Sequence, residues 1–209
     1  MQSIVNVVTP ASSYDLTDLT TVKAELGITD GTQDTQLGAW ITQASGEIAS
    51  YCNRKFLKET IKQTFRVLFV RGLQRERFEQ IVLARSPVSA ISSVVMDSNA
   101  LDTTDYEYDD EGMLYRVDSG HNVRWFFERL EVTFDAGYDF AKLPAPLGRA
   151  CVSLVKMLRS NSTRDPLVKQ ESVPGVGEVQ YWVGGIPGTV GNLPPDIQAM
   201  LDPYRSVSV

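Results

Sequence analysis

The hydrophobic period of this sequence changes twice, and few folds accept both changes. From Asp34 onward, Leu37, Ile41, Ala44, Ile48 and Tyr51 recur at steps of four and three, which is one buried face of a helix about four turns long. At about Thr60 the period drops to two. Ile61, Phe65, Val67 and Phe69 alternate with Lys62, Thr64 and Arg66, and later Leu130, Val132 and Phe134 alternate with Glu131, Thr133 and Asp135. After Pro144 the helical period returns through Leu147, Ala150, Cys151, Leu154, Val155 and Leu158. A chain that leaves a helical pattern for strands and then comes back to it predicts an α+β fold. The expected form is a small helical bundle core with an inserted antiparallel β-meander and an extended C-terminal arm.

Local signals set the limits of each element. Asp18 is a candidate N-cap for a helix over about 18–27, closed at Gly27 where a left-handed turn meets no Cβ clash. Asp34 is a second N-cap candidate, for a helix over about 34–52, and Pro144-Ala145-Pro146 opens a third over about 145–159. The β insertion occupies about 60–136. Its first strand ends in a basic segment, Arg71 to Arg77. Ile81-Val82-Leu83 is a short return, Ile91–Met96 leads to a turn at Asp97-Ser98-Asn99, and Tyr106–Tyr108 and Met113–Val117 flank the turn Asp109-Asp110-Glu111-Gly112. Residues 1–160 thus form the main domain. Residues 161–209 form the arm, glycine-rich with one possible strand at Val179–Val183 and a short terminal helix from Pro195 to Leu201.

Composition excludes several classes. With 43% hydrophobic residues the chain can build a core, yet no run of about 18 apolar residues is present to span a bilayer. The first ten residues lack the basic region of a signal peptide, so assembly inside a cell is expected, and Cys52 and Cys151 read as packed thiols in helical stripes. The net charge of −6 argues against a protein that grips nucleic acid over its whole surface. The charge is also unevenly spread. Residues 61–90 carry 6 basic and 2 acidic side chains, net +4, whereas 91–143 carry 4 and 12, net −8. Solvated strand faces explain such runs, and so does a positive flank that docks on the negative flank of an identical neighbour.

Catalytic chemistry finds no foothold. His121 is the sole histidine and reads as a solvated loop residue, and no C-x-x-C, H-E-x-x-H, G-x-S-x-G or phosphate-loop spacing occurs. The acids Asp102, Asp105, Glu107, Asp109, Asp110 and Glu111 fail a calcium-loop register, because Arg116 falls where the last ligand belongs. Their alternation with Tyr106 and Tyr108 favours a hairpin with one solvated face. Nothing selects a catalytic carboxylate pair. The expectation is a protein that is not an enzyme, with no cofactor and no metal.

The order of elements then carries a resemblance. Asp18-Leu19-Thr20-Thr21-Val22-Lys23-Ala24-Glu25-Leu26-Gly27-Ile28, the Asp34–Tyr51 helix and Cys52-Asn53-Arg54-Lys55-Phe56 resemble the opening of the tailed-bacteriophage head-tail connector (adaptor, head-completion) family. Val132-Thr133-Phe134-Asp135-Ala136-Gly137-Tyr138-Asp139, then Leu143-Pro144 and Leu147-Gly148-Arg149-Ala150, look like that family's last strand, its turn and its proline-led third helix. The likeness covers about residues 16–160. It implies a ring of about twelve subunits under the portal, located in the virion neck and assembled in the host cytoplasm. Such a ring extends the DNA channel and offers a docking platform to a stopper or tail-completion protein. Double-stranded DNA passes through without specific binding, and no membrane is involved.

Arg71, Arg75 and Arg77 are the candidates for one ring face or for the lumen, with Asp109, Asp110 and Glu111 as the opposing patch. Arg164, Asp165, Val179, Tyr181 and Trp182 are the candidates for portal contact, since an arm with few other apolar groups has little reason to carry two adjacent aromatics. The competing reading is a small nucleic-acid-binding or regulatory module that uses the basic hairpin 61–90.

Overall fold

Helix formation begins where the sequence supplies a cap. In a computed structural model that describes residues 1–67, 77–162, 170–173, 177–180 and 193–206, Asp18 accepts the Thr21 amide at 2.7 Å and starts helix α1, Leu19–Leu26. Gly27 ends it at φ +67°, a backbone angle that glycine adopts without strain. Helix α2 runs Asp34–Tyr51, and Asp34 is its first helical residue instead of its cap. Gln33 holds the cap position without a side-chain bond, and the Asp34 carboxylate pairs instead with Lys23 Nζ at 2.7 Å. Helix α3 runs Ala145–Ser162, about one turn longer than the sequence pattern predicts.

Contacts divide the chain into two units, one of residues 14–56 and 143–209 and one of residues 1–13 and 57–142. In the first, α3 packs on α1 and α2. The expected stripes are buried over most of their length, with Leu37, Ile41, Ala44 and Ile48 from α2 and Leu147, Ala150, Cys151, Leu154 and Val155 from α3, while Tyr51 and Leu158 at their ends are half-buried. Ser45 joins them although polar, since its hydroxyl accepts the Leu16 amide at 2.9 Å and lies 3.4 Å from Cys151 Sγ. A short hairpin pairs β10 (Gln170–Val173) with β11 (Gly177–Gln180). The last helix, α4 (Pro195–Leu201), packs on α3 through Ile197 and Leu201.

Both cysteines are free and wholly buried, and burial pushes each thiol up to about 11. A thiol whose pKa rises on folding favours the folded chain below its unfolded value of about 8.5, and that contribution is lost as pH climbs through the folded value. We expect the native protein to resist an aromatic disulfide reagent at pH 8, and its urea midpoint to fall as pH rises from about 9 to about 11. Rapid labelling of both thiols under native conditions would contradict this.

The second unit is a pair of antiparallel sheets. Strands β1 (Gln2–Thr9), β2 (Glu59–Arg66), β4 (Val88–Met96), β5 (Asn99–Ala100) and β9 (Arg129–Ala136) form one sheet in the order β1-β2-β9-β4-β5. Strands β3 (Ile81–Val82), β6 (Tyr106–Tyr108) and β7 (Met113–Asp118) form the other in the order β3-β7-β6, with β8 (His121–Val123) paired to β7. Period two holds along β9, where Leu130, Val132, Phe134 and Ala136 are buried. These residues share a core with Ile61 and Phe65 of β2, Ile81, Leu114, Trp125 and Phe127. Gln63 sits in the same inward row. Its amide donates to Ser3 Oγ at 2.8 Å and accepts the Ala84 N–H at 2.8 Å, which makes a buried polar side chain tolerable. Asp97 and Ser98 both take positive φ, the geometry of a two-residue hairpin turn, and Asp97 Oδ1 accepts the amides of Glu128 and Arg129. His121 is exposed, as expected, but it lies in β8 and not in a loop.

Candidate functional site

The sequence offers no catalytic constellation, so the candidate site is sought among the charged and apolar groups that the fold leaves outside. The outward row of the β2–β9 pair is a ladder of opposite charges. Lys58 Nζ lies 3.5 Å from Asp135, whose carboxylate also accepts the Thr60 hydroxyl at 2.7 Å. Lys62 Nζ lies 3.2 Å from Glu131, and Arg129 reaches the same carboxylate at 2.7 Å. Partial burial works to raise the Glu131 pKa, but the hydrogen bonds from Lys62 and Arg129 outweigh it and hold the carboxyl below its usual range. Arg85 similarly faces the buried Glu59 at 3.9 Å. Four basic residues, Lys58, Lys62, Arg85 and Arg129, therefore meet acids within their own unit.

The proposed acidic patch is a single turn. Asp109 shapes it, accepting the Met113 amide at 2.8 Å through its side chain, while Asp110 and Glu111 project from it exposed. Asp109 is thus turn-forming as well as acidic. Arg77 is exposed and lies over the Phe126 ring at 5.9 Å, beside the bridge between Phe78 and Trp125. Arg71, Arg75, Arg164, Asp165, Tyr181 and Trp182 lie outside the described residues. Val179 belongs to β11, where its backbone is opposite Glu171 of β10.

The sequence reading missed an exposed edge strand. All eight residues of β1 are exposed, including Ile4, Val5, Val7 and Val8, and among the described residues β1 pairs with β2 on one side alone. The signal was present in the run from Ser3 to Thr9, where β-branched residues dominate, no charge occurs and Pro10 follows. A shallow cavity of about 340 Å³ near β8 is lined by Glu79, Gln80, Tyr115, Asn122, Val123 and Arg124. Glu79 and Arg124 pair with each other there at 3.0 Å, so the cavity presents no nucleophile beside a base. Among the described residues, no three His, Cys, Asp or Glu side chains converge as metal ligands would, and no helix is long and apolar enough to cross a membrane.

Comparison with known proteins gives a consistent result. A family model described as "Head completion protein" matches residues 15–207. The fold is similar to a chain in the neck of an empty gene transfer agent (GTA) particle computed with C6 symmetry, with a TM-score of 0.56, 14% identity, and 99% and 97% of the two chains covered. A chain from the virion of a native GTA particle gives 0.55 at 15% identity, again over 99% and 97%. One from the neck of a native GTA particle computed with C12 symmetry gives 0.50 at 14% identity with the same coverage. No curated protein matches the chain.

Proposed function

The chain belongs to the head completion protein family, and from that premise we propose that it is a head-tail connector, a ring beneath the portal that extends the DNA channel and gives a stopper or tail-completion protein its platform. The observation that carries this reading is the family match over residues 15–207, which takes in the helical unit, the whole β insertion and the C-terminal helix. The likeness of fold to chains from particle necks computed with sixfold and twelvefold symmetry supports a ring of about twelve copies in the virion neck. Ring neighbours use two different patches of each subunit, and such an interface closes when the rotation does. The role is structural and not catalytic.

The charge pattern fits a channel that lets DNA slide. Phosphate binding scales with the number of free Lys and Arg, and each released counterion adds affinity. Here the subunit is net acidic, and Lys62 and Arg85 are matched to Glu131 and Glu59. That pairing disfavours the nucleic-acid-binding alternative for the hairpin 61–90. In this proposal Arg77 with Arg71 and Arg75, opposite Asp109, Asp110 and Glu111, form the ring contact or line the lumen. Arg164, Asp165, Val179, Tyr181 and Trp182 form the portal contact.

The test is a particle preparation from a host in which this gene is silenced. We expect filled heads that lack tails, with the protein at the head-tail junction by electron microscopy once it is resupplied. Infectious tailed particles that contain none of it would overturn the reading.

A further inference from the structure

A sheet edge offers a row of unpaired backbone N–H and C=O groups, and folded proteins guard such rows with charges, prolines, bulges or very short strands. Strand β1 has none of these along residues 2–7, where its pairing with β2 is regular. Its outer edge meets no strand among the described residues, and its core-side row is left open as well. Val5 and Val7 stand beside Gln63 and Ile61 of β2, which are buried, yet they are 39% and 46% exposed themselves. The core-side face of the sheet therefore runs on past β2 without cover.

The same unit carries an opening of matching chemistry. Strand β6 pairs with β7 on one side, and β4 meets β5 at Val95 and Met96 alone, so among the described residues both strands keep a free stretch of edge. Between them lies a groove of about 500 Å³ lined by Ile91, Thr103, Tyr106, Glu107 and Tyr108. Tyr106 belongs to the core that the two sheets share, Ile91 packs against it, and Tyr108 is 40% exposed. Strand β1 of the same chain stands beyond β2 and β9 in the sheet order, so a β1 that fills this groove comes from another copy. Laid antiparallel on the free edge of β6, it sets Val5 opposite Tyr108, Asn6 opposite Glu107 and Val7 opposite Tyr106. Opposed residues share a face, and aromatic rings beside β-branched side chains are among the pairs that stabilise a sheet. The Asn6 amide meets the Glu107 carboxylate as donor to acceptor, and among the described residues no cation pairs with that carboxylate. Charge supports this direction of the strand. Arg66 is exposed beside Gln2, and in this register it approaches the acidic turn Asp109-Asp110-Glu111 that follows β6.

We propose that β1 of each subunit adds antiparallel to the free edge of β6 in the next subunit, with Val5 and Val7 closing the groove between β4 and β6. The three paired residues lie within the regular part of β1, before the register shift between Val7 and Thr9. Donor edge and acceptor groove are different patches of the chain, so every copy gives one strand and receives one, and the series closes when the rotation does. Closure leaves no β1 edge unguarded. This inference rests on the connector reading above and names the strands that join neighbours in the ring.

Particles assembled in the silenced host, resupplied with full-length N6C and E107C chains together, test it. Mild oxidation is expected to yield a disulfide dimer of one N6C and one E107C chain, because antiparallel Cα spacings of about 4.5–5.5 Å lie within disulfide reach. Either variant supplied alone is expected to stay reduced. Cys52 and Cys151 are wholly buried and do not compete. In a second arm, V5E/V7E sets carboxylates against Glu107 and the acidic turn. The purified variant is expected to keep the circular dichroism of the wild type, since both positions are exposed, and to be lost from the particles. Mixed cysteine chains that enter the neck and stay reduced, N6C chains that link to each other, or V5E/V7E chains that enter particles as the wild type does would each overturn the proposal and leave the connector reading standing. Tailed particles that lack even the resupplied wild type would overturn the connector reading and this inference with it. If V5E/V7E unfolds, the cysteine pattern alone decides.

Discussion

Replacing Trp125 with alanine is expected to destabilise the β unit by about 3–5 kcal/mol, a large share of the total stability of an ordinary domain. Trp125 is wholly buried in the core that both sheets share, and its ring meets Phe127 edge-on at 6.4 Å. Its indole N–H donates to the Leu114 carbonyl at 3.1 Å, so truncation opens a cavity and takes away that carbonyl's indole partner at the same time. The backbone of Trp125 also exchanges hydrogen bonds with Phe78 at 2.8 and 3.1 Å, which pins the segment leading into β9. Trp125→Phe keeps most of the ring volume and loses the donor, so it should cost less, about 1–3 kcal/mol. Urea unfolding of the three proteins gives the order directly. A Trp125→Ala protein within about 1 kcal/mol of the wild type would mean that the core is not organised around this residue.

Leu201→Asp is expected to release the C-terminal helix. Leu201 is wholly buried where α4 meets α3, and its carbonyl lies 3.9 Å from Cys52 Sγ. Around it the end of the chain is held by the Ser206 amide on the Cys52 carbonyl at 2.8 Å and by the Tyr51 hydroxyl on Asp202 at 2.7 Å. Burial and that hydrogen bond to Asp202 together raise the Tyr51 pKa. A carboxylate placed at Leu201 loses its hydration inside an apolar contact, and even the mild change Leu201→Ala removes packing worth about 2–5 kcal/mol. The specific readout is thiol chemistry. Leu201→Asp should make one thiol per chain reactive at pH 8, Cys52, and leave Cys151 protected beneath Ser45 and the Ile41 carbonyl. Equal labelling of both thiols would indicate general unfolding instead, and labelling of neither would show that α4 stays in place.

The helical unit was largely legible from the order of residues because its signals are local. Asp18 and Gly27 mark α1 by cap chemistry, and the stripes of α2 and α3 mark their buried faces by spacing. The strand limits were less sharp. β4 begins at Val88, earlier than the Ile91 that opens its apolar run, because pairing with β9 continues there through a register shift. Of the surfaces, the acidic turn at Asp109–Glu111 was readable from composition. The exposed edge was not, since an apolar run of β-branched residues reads equally well as a buried strand, and its exposure depends on the sheet order. Likewise the spacing marks Asp34 as a cap, while its ion pair with Lys23 is a contact across the loop between α1 and α2 that no spacing rule reports.

Cap residues and the two hydrophobic periods are properties of neighbouring residues, and the sequence by itself determined which segments became helix and which became strand. Tertiary structure alone decided that β1 lies at the rim beside β2, that Gln63 and Ser45 find buried partners, and that α4 returns to α3 and covers Cys52. The reason is that backbone hydrogen bonds are the same for every residue but proline. Which remote strands pair is therefore settled by how whole faces fill a shared core, and that choice exists only once the segments meet.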